Sequence, residues 1–124
     1  MRLFKTKSFV RFADRMRIND TALCDAVLRA ESGMIDADLG GGVIKQRIAR
    51  KGQGKSGGFR SIVLFREGER SFFVYGFSKS GRSNIRKDEL KAFRMLANEL
   101  LGLNDNAMSA AMANGTIKEV ICDG

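Results

Sequence analysis

Residues 59–77 read FRSIVLFREGERSFFVYGF, and how this stretch is read decides the fold. Aromatic and β-branched residues fill FRSIVLFR and RSFFVYGF, and the three residues EGE between them include Gly68. Two such runs around a short polar turn predict a β-hairpin, with both strands central in a sheet. Phe59, Phe72, Phe73 and Phe77 are expected in the core.

Upstream, residues 43–50 (VIKQRIAR) alternate so that Lys45 and Arg47 share one face of a strand while Ile44 and Ile48 share the other. The basic loop KGQGKSGG follows. Gly54-Lys55-Ser56 copies the end of a phosphate-binding loop, but Ala49 stands where that motif needs its first glycine. The segment also runs into a strand, whereas a phosphate loop must open a helix. No nucleoside triphosphate site is expected.

Downstream of the hairpin, SKSGRSN is a polar loop. From Asn84 onward a long helix is expected, with Leu90, Phe93, Ala97 and Leu100 as its buried stripe and Gly102 as its stop. Near the N-terminus RLFKTKSF reads as a short strand or extended arm, and VRFADRMR as a brief helix with Val10 and Ala13 inward. NDTALCDAVLRAE reads as a helix capped by Asn19 or Asp20, burying Leu23, Val27 and Ala30 and ending at Gly33. The tail offers a short alanine-rich helix, a break at Asn114-Gly115 and a last strand, TIKEVI. The sum is one α+β domain over residues 1–124: a small, mostly antiparallel twisted sheet, helices packed on one face, cations on the other.

With 124 residues, 44% of them hydrophobic, the chain can bury a core. No apolar run is long enough to span a bilayer and the first residues do not form a signal peptide, so a cytoplasmic protein without membrane contact is expected. Cys24 and Cys122 are far apart, show no C-x-x-C spacing and have no histidine to join them. Neither a zinc site nor a disulfide framework follows, and two ordinary buried thiols are expected. No cofactor or metal is called for. Any catalysis must proceed without histidine, the usual proton shuttle near neutral pH.

The formal net charge of +8 is unevenly spread. Residues 45–66 carry seven bases, Lys45, Arg47, Arg50, Lys51, Lys55, Arg60 and Arg66, and no acid. With Lys79 and Arg82 after the hairpin, cations from several strands can meet on one face. Such crowding is repulsive, and a face that binds polyanions gains from it what a purely structural face would not.

At these residues the sequence resembles a family. GVIKQRIARKGQGKSGGFRSIVLF and FFVYGFSKSGRSNIRKDELKAF look like the RelE/ParE superfamily of bacterial toxins, in particular its HigB-like branch. The likeness extends over nearly the whole chain. It implies a RelE-like fold and a toxin held in check by a cognate antitoxin, with the active branch cutting messenger RNA on the ribosome. Carried over by position, it implies catalytic roles for Lys45, Arg47, Arg60, Lys79 and Arg82. Arg50, Lys51, Lys55 and Asn84 are expected to contact RNA.

One departure stands out. Relatives with a catalytic tyrosine carry it near the end of KSGRSNI, where this chain has Asn84 and Ile85, while Tyr75 lies inside a strand and reads as core. The implied reaction is attack of a 2′-hydroxyl on the adjacent phosphorus. Lys45 or Lys79 would serve as base, since like charges disfavour a protonated amine, and Arg60 and Arg82 would clamp the phosphate. The alternatives are a ParE-like inhibitor of DNA gyrase and a nucleic-acid binder without catalysis.

Overall fold

The computed structural model describes residues 1–50, 57–78, 81–82 and 84–122. The elements run β1 (Arg2–Thr6), α1 (Lys7–Met16), α2 (Asp20–Glu31), β2 (Ala37–Gly40), β3 (Val43–Ile48), β4 (Phe59–Arg66), β5 (Arg70–Ser78), α3 (Lys87–Leu100), α4 (Asp105–Ala113) and β6 (Ile117–Val120). The strands form one sheet in the order β2-β3-β4-β5-β1-β6. Every pairing is antiparallel except β1 with β5. The α+β class, the central hairpin and the mostly antiparallel sheet therefore agree with the sequence reading.

The helices do not gather on one face. Phe72 and Phe73 are neighbours on β5, so they point to opposite sides, and both are fully buried. That requires cover on each side. On one face Leu3, Ile44, Ile48, Phe59, Val63 and Phe73 meet Phe9, Phe12 and Ala13 of α1 and Leu23, Ala26, Val27 and Ala30 of α2. On the other, Phe4, Val43, Ile62, Leu64, Phe72 and Val74 meet Ala97 and Leu100 of α3, Leu101 and Met108. The one-sided expectation gave the cations a whole face, yet α3 and α4 leave part of that face uncovered, and Lys45, Arg47 and Arg60 are only half-buried there.

Local chemistry explains the element ends. Asn19 caps α2 by accepting from Ala22 N at 3.0 Å, and Asn104 caps α4 by accepting from Ala107 N at 2.8 Å. Beyond the C-terminal end of α3, Arg66 and Arg70 donate to the carbonyls of Leu101 and Leu103 at 2.8 and 2.9 Å. Helix α1 buries Phe9, Phe12 and Ala13, so Phe9 and Phe12 take the inward positions and Val10 stays half-exposed. Helix α3 begins at Lys87, not Asn84, because the Asn84 carboxamide accepts from Ile85 N at 2.9 Å and holds that segment extended.

Two features aim the β3–β5 surface. Gln46 is fully buried; its amide donates to the carbonyls of Ala26 and Met34 at 3.0 and 3.1 Å and accepts from Asp36 N at 3.0 Å, fastening β3 to α2. In the β4–β5 ladder Ile62 pairs with Tyr75 and Val63 with Phe73, so Val74 is an extra residue, a β-bulge. Strict alternation would place Tyr75 and Phe77 on the Phe73 face. The bulge moves both to the opposite one.

Cys24 and Cys122 form a disulfide, with Cα atoms 5.8 Å apart and 98 residues between them in sequence. This overturns the expectation of two buried thiols; Cys24 is half-buried and Cys122 exposed. Sequence spacing could not reveal the pair, because it exists only once β6, docked on β1, carries the tail to α2. Among the described residues no helix is long and apolar enough to cross a membrane.

Candidate functional site

Partners directly opposite in a sheet share a face. Arg47 of β3 is opposite Arg60 of β4, which is opposite Phe77 of β5. One row along, Lys45 is opposite Ile62, and Ile62 is opposite Tyr75. Three of the expected residues, Lys45, Arg47 and Arg60, therefore meet on one surface, and the bulge adds an aromatic flank.

Among the described residues none of those three has an ion-pair partner. The ion pairs among the described residues involve Arg2, Lys5, Arg29, Arg66, Arg82 and Arg86. Arg60 goes further, because its Nη1 is buried and has no hydrogen-bond partner among the described residues. A buried donor left unmatched costs about 1–3 kcal/mol, and more when charged. A group held at that cost in the middle of a cationic surface is placed to receive an anion.

Arg82 closes the surface beyond β5. Its Nε donates to the Asn84 carbonyl at 2.9 Å, its Nη1 to the Tyr75 hydroxyl at 2.8 Å and to Glu89 Oε2 at 3.1 Å, and its Nη2 to Glu89 Oε1 at 2.5 Å. The guanidinium also lies 5.7 and 5.8 Å from the ring centres of Tyr75 and Phe77. Hydrogen bonding from Arg82 and from Arg86 N holds the Glu89 carboxyl down at about 2. The same contact with Glu89, helped by Tyr75, raises the Arg82 pKa still higher. Asn84 joins the two flanks, since its Oδ1 accepts from Lys45 Nζ at 3.4 Å while its carbonyl holds Arg82.

The remaining expected residues divide. Arg50 is exposed and stacks over Phe59, 5.3 Å from its ring centre, and so faces the α1–α2 side, beside a cavity of about 560 Å³ also lined by Arg17 and Arg29. It does not join the cluster. Lys51, Lys55 and Lys79 lie outside the described residues.

Two members of the site escaped sequence reasoning. Tyr75 read as core because alternation without the bulge puts it there; Gly76 beside it was the available signal, since a glycine inside a strand marks a bulge or a close approach. Glu89 read as a favourable first-turn acid on α3, and its hold on Arg82 depends on the fold of the preceding segment.

The chain matches the family model described as RelE toxin of RelE / RelB toxin-antitoxin system over residues 1–120. A search of curated proteins finds no match.

Proposed function

The chain belongs to the RelE toxin family, and from that premise we propose a single-domain cytoplasmic toxin of the HigB-like branch that cuts messenger RNA on the ribosome and is silenced by a cognate antitoxin. The observation that carries this reading is Arg60, which lies between Arg47 and Phe77 in the sheet and whose buried Nη1 has no hydrogen-bond partner among the described residues. A planar guanidinium there fits the non-bridging oxygens of a phosphodiester.

The chemistry needs little more than alignment and charge. The 2′-hydroxyl of one nucleotide attacks the adjacent phosphorus, and the crowded anionic phosphorane is stabilised by donors fixed before the reaction. Arg60 and Arg47 supply those donors, and Lys45 on the neighbouring strand is the base for the 2′-hydroxyl, with Lys79 the alternative. Arg82 contributes by position more than by charge, because Glu89, Asn84 and Tyr75 together engage four of its five N–H groups. Arg50, Lys51 and Lys55 would hold RNA away from the cut, and Asn84 would contact it beside Lys45. An antitoxin segment rich in Asp and Glu would cover the cations through charge-assisted bonds.

The test is to induce the protein and map message ends by primer extension. Translation arrest with new 5′ ends in ribosome-bound messages is expected, and Arg60→Ala abolishes both. Growth arrest accompanied by DNA breaks and intact messages would replace this reading with gyrase inhibition.

A further inference from the structure

Tyr75 is the chain's single tyrosine, and its surroundings give its hydroxyl a direction. The phenol oxygen accepts an N–H from Arg82 Nη1 at 2.8 Å. A hydroxyl that accepts on that side must send its own hydrogen elsewhere, and among the described residues no acceptor receives it. Arg82 cannot turn away: Asn84 holds its Nε and Glu89 spans both terminal nitrogens. Of its five N–H groups four are engaged, so it presents no free fork to a ligand and acts as a positioning residue for the phenol.

The sheet supplies the second half of the argument. Lys45 on β3 and Tyr75 on β5 lie directly across Ile62 of the middle strand β4, and Arg60 stands two residues along β4 on the same face. With strands about 4.8 Å apart, the two flanking backbones are separated by about 10 Å. An in-line displacement needs that layout, with the attacking and departing oxygens on opposite sides of phosphorus and a proton acceptor and a proton donor beyond them.

We propose, resting on the ribonuclease reading above, that Tyr75 is the general acid, giving its phenolic proton to the departing 5′-oxygen. The 2′-hydroxyl proton passes to the Lys45 amine as the 2′-oxygen bonds to phosphorus. The bond from phosphorus to the 5′-oxygen breaks with its electron pair on that oxygen, which takes the proton of Tyr75. The products are a 2′,3′-cyclic phosphate and a free 5′-hydroxyl; the phenolate, stabilised beside Arg82, regains a proton from water, and Lys45 releases one.

The experiment compares two messages in ribosomes programmed with the cut codon, one natural and one with sulfur replacing the bridging 5′-oxygen at the cut. A thiolate departs without a proton, so loss of the acid should not matter for the second. Tyr75→Phe, which keeps the ring and its packing, is expected to cut the natural message about 100-fold more slowly and the sulfur message at close to the unsubstituted protein's rate, while Arg60→Ala fails on both. Equal slowing of Tyr75→Phe on both messages, or no slowing on either, overturns the proposal. If the unsubstituted protein leaves both messages intact, the ribonuclease reading itself fails.

Discussion

Arg47 and Arg60 stand directly opposite each other in the β3–β4 ladder, two cations where a sheet ordinarily avoids like charge. No acid among the described residues compensates either of them, and the β3 strand that carries Arg47 is fixed from behind. Asp36 accepts from Arg47 N at 2.6 Å, and Arg29 donates to the Arg47 carbonyl. The repulsion is therefore built into a rigid frame, and an anion bound between the two side chains would relieve it.

If so, the site is held at the expense of stability. Arg60→Met keeps much of the side chain's length, removes the unmatched Nη1, and is expected to stabilise the fold by about 1 kcal/mol or more while abolishing growth arrest. Thermal melting beside an induction assay checks both halves. A lower melting temperature would mean that Arg60 is satisfied in the fold and is not waiting for a ligand.

Glu89 gives a signature in acid. Its carboxyl is held at about 2 against an ordinary value of 4.5, so the folded state binds its proton later than the unfolded chain does. That stabilisation is complete above pH 4.5 and is lost as pH falls toward 2. Melting temperatures across this window should fall more steeply for the unsubstituted protein than for Glu89→Gln. Parallel curves would show that the Arg82–Glu89 contact does not persist in solution.

The hairpin, helix α2 with its Asn19 cap, and the shared face of Lys45 and Arg47 were legible because each depends on residues close in sequence. Tyr75 was not, since a single extra residue at Val74 reverses which side it faces, and the bulge is settled by packing on both sides of β5. The helices' division between two faces was foreshadowed by the adjacent Phe72 and Phe73, both apolar where a one-sided sheet would alternate. The disulfide and the parallel β1–β5 pairing join distant parts of the chain, and no local pattern reports such contacts.

Gly76 tests the packing that sets the bulge. A Cβ built there would sit 2.2 Å from Cε2 of Phe12, so Gly76→Ala should destabilise by about 1–3 kcal/mol through overpacking. Adding Phe12→Leu should recover part of that loss in denaturant unfolding. Additive losses in the double variant would place the strain elsewhere.

The Cys24–Cys122 bond closes a loop with 98 residues of separation, for which the chain-entropy account gives up to about 4–5 kcal/mol. Unfolding in urea with and without dithiothreitol should show a loss of that order. Cys24→Ser should reproduce the reduced protein and no longer respond to the reductant. Identical curves in both conditions would mean that the two sulfurs are not joined in solution.

Strand β1 enters the sheet at once, with Arg2 opposite Arg70 beside the β4–β5 turn, and β6 returns Val120 opposite Leu3. The first and last strands thus begin and finish near the turn, whereas Arg60 and Phe77 lie toward the other end of the hairpin, about 20 Å away at the rise of an extended strand. A fluorophore attached beside Arg2 or Glu119 would be anchored far from the cations and would leave them open to a large assembly.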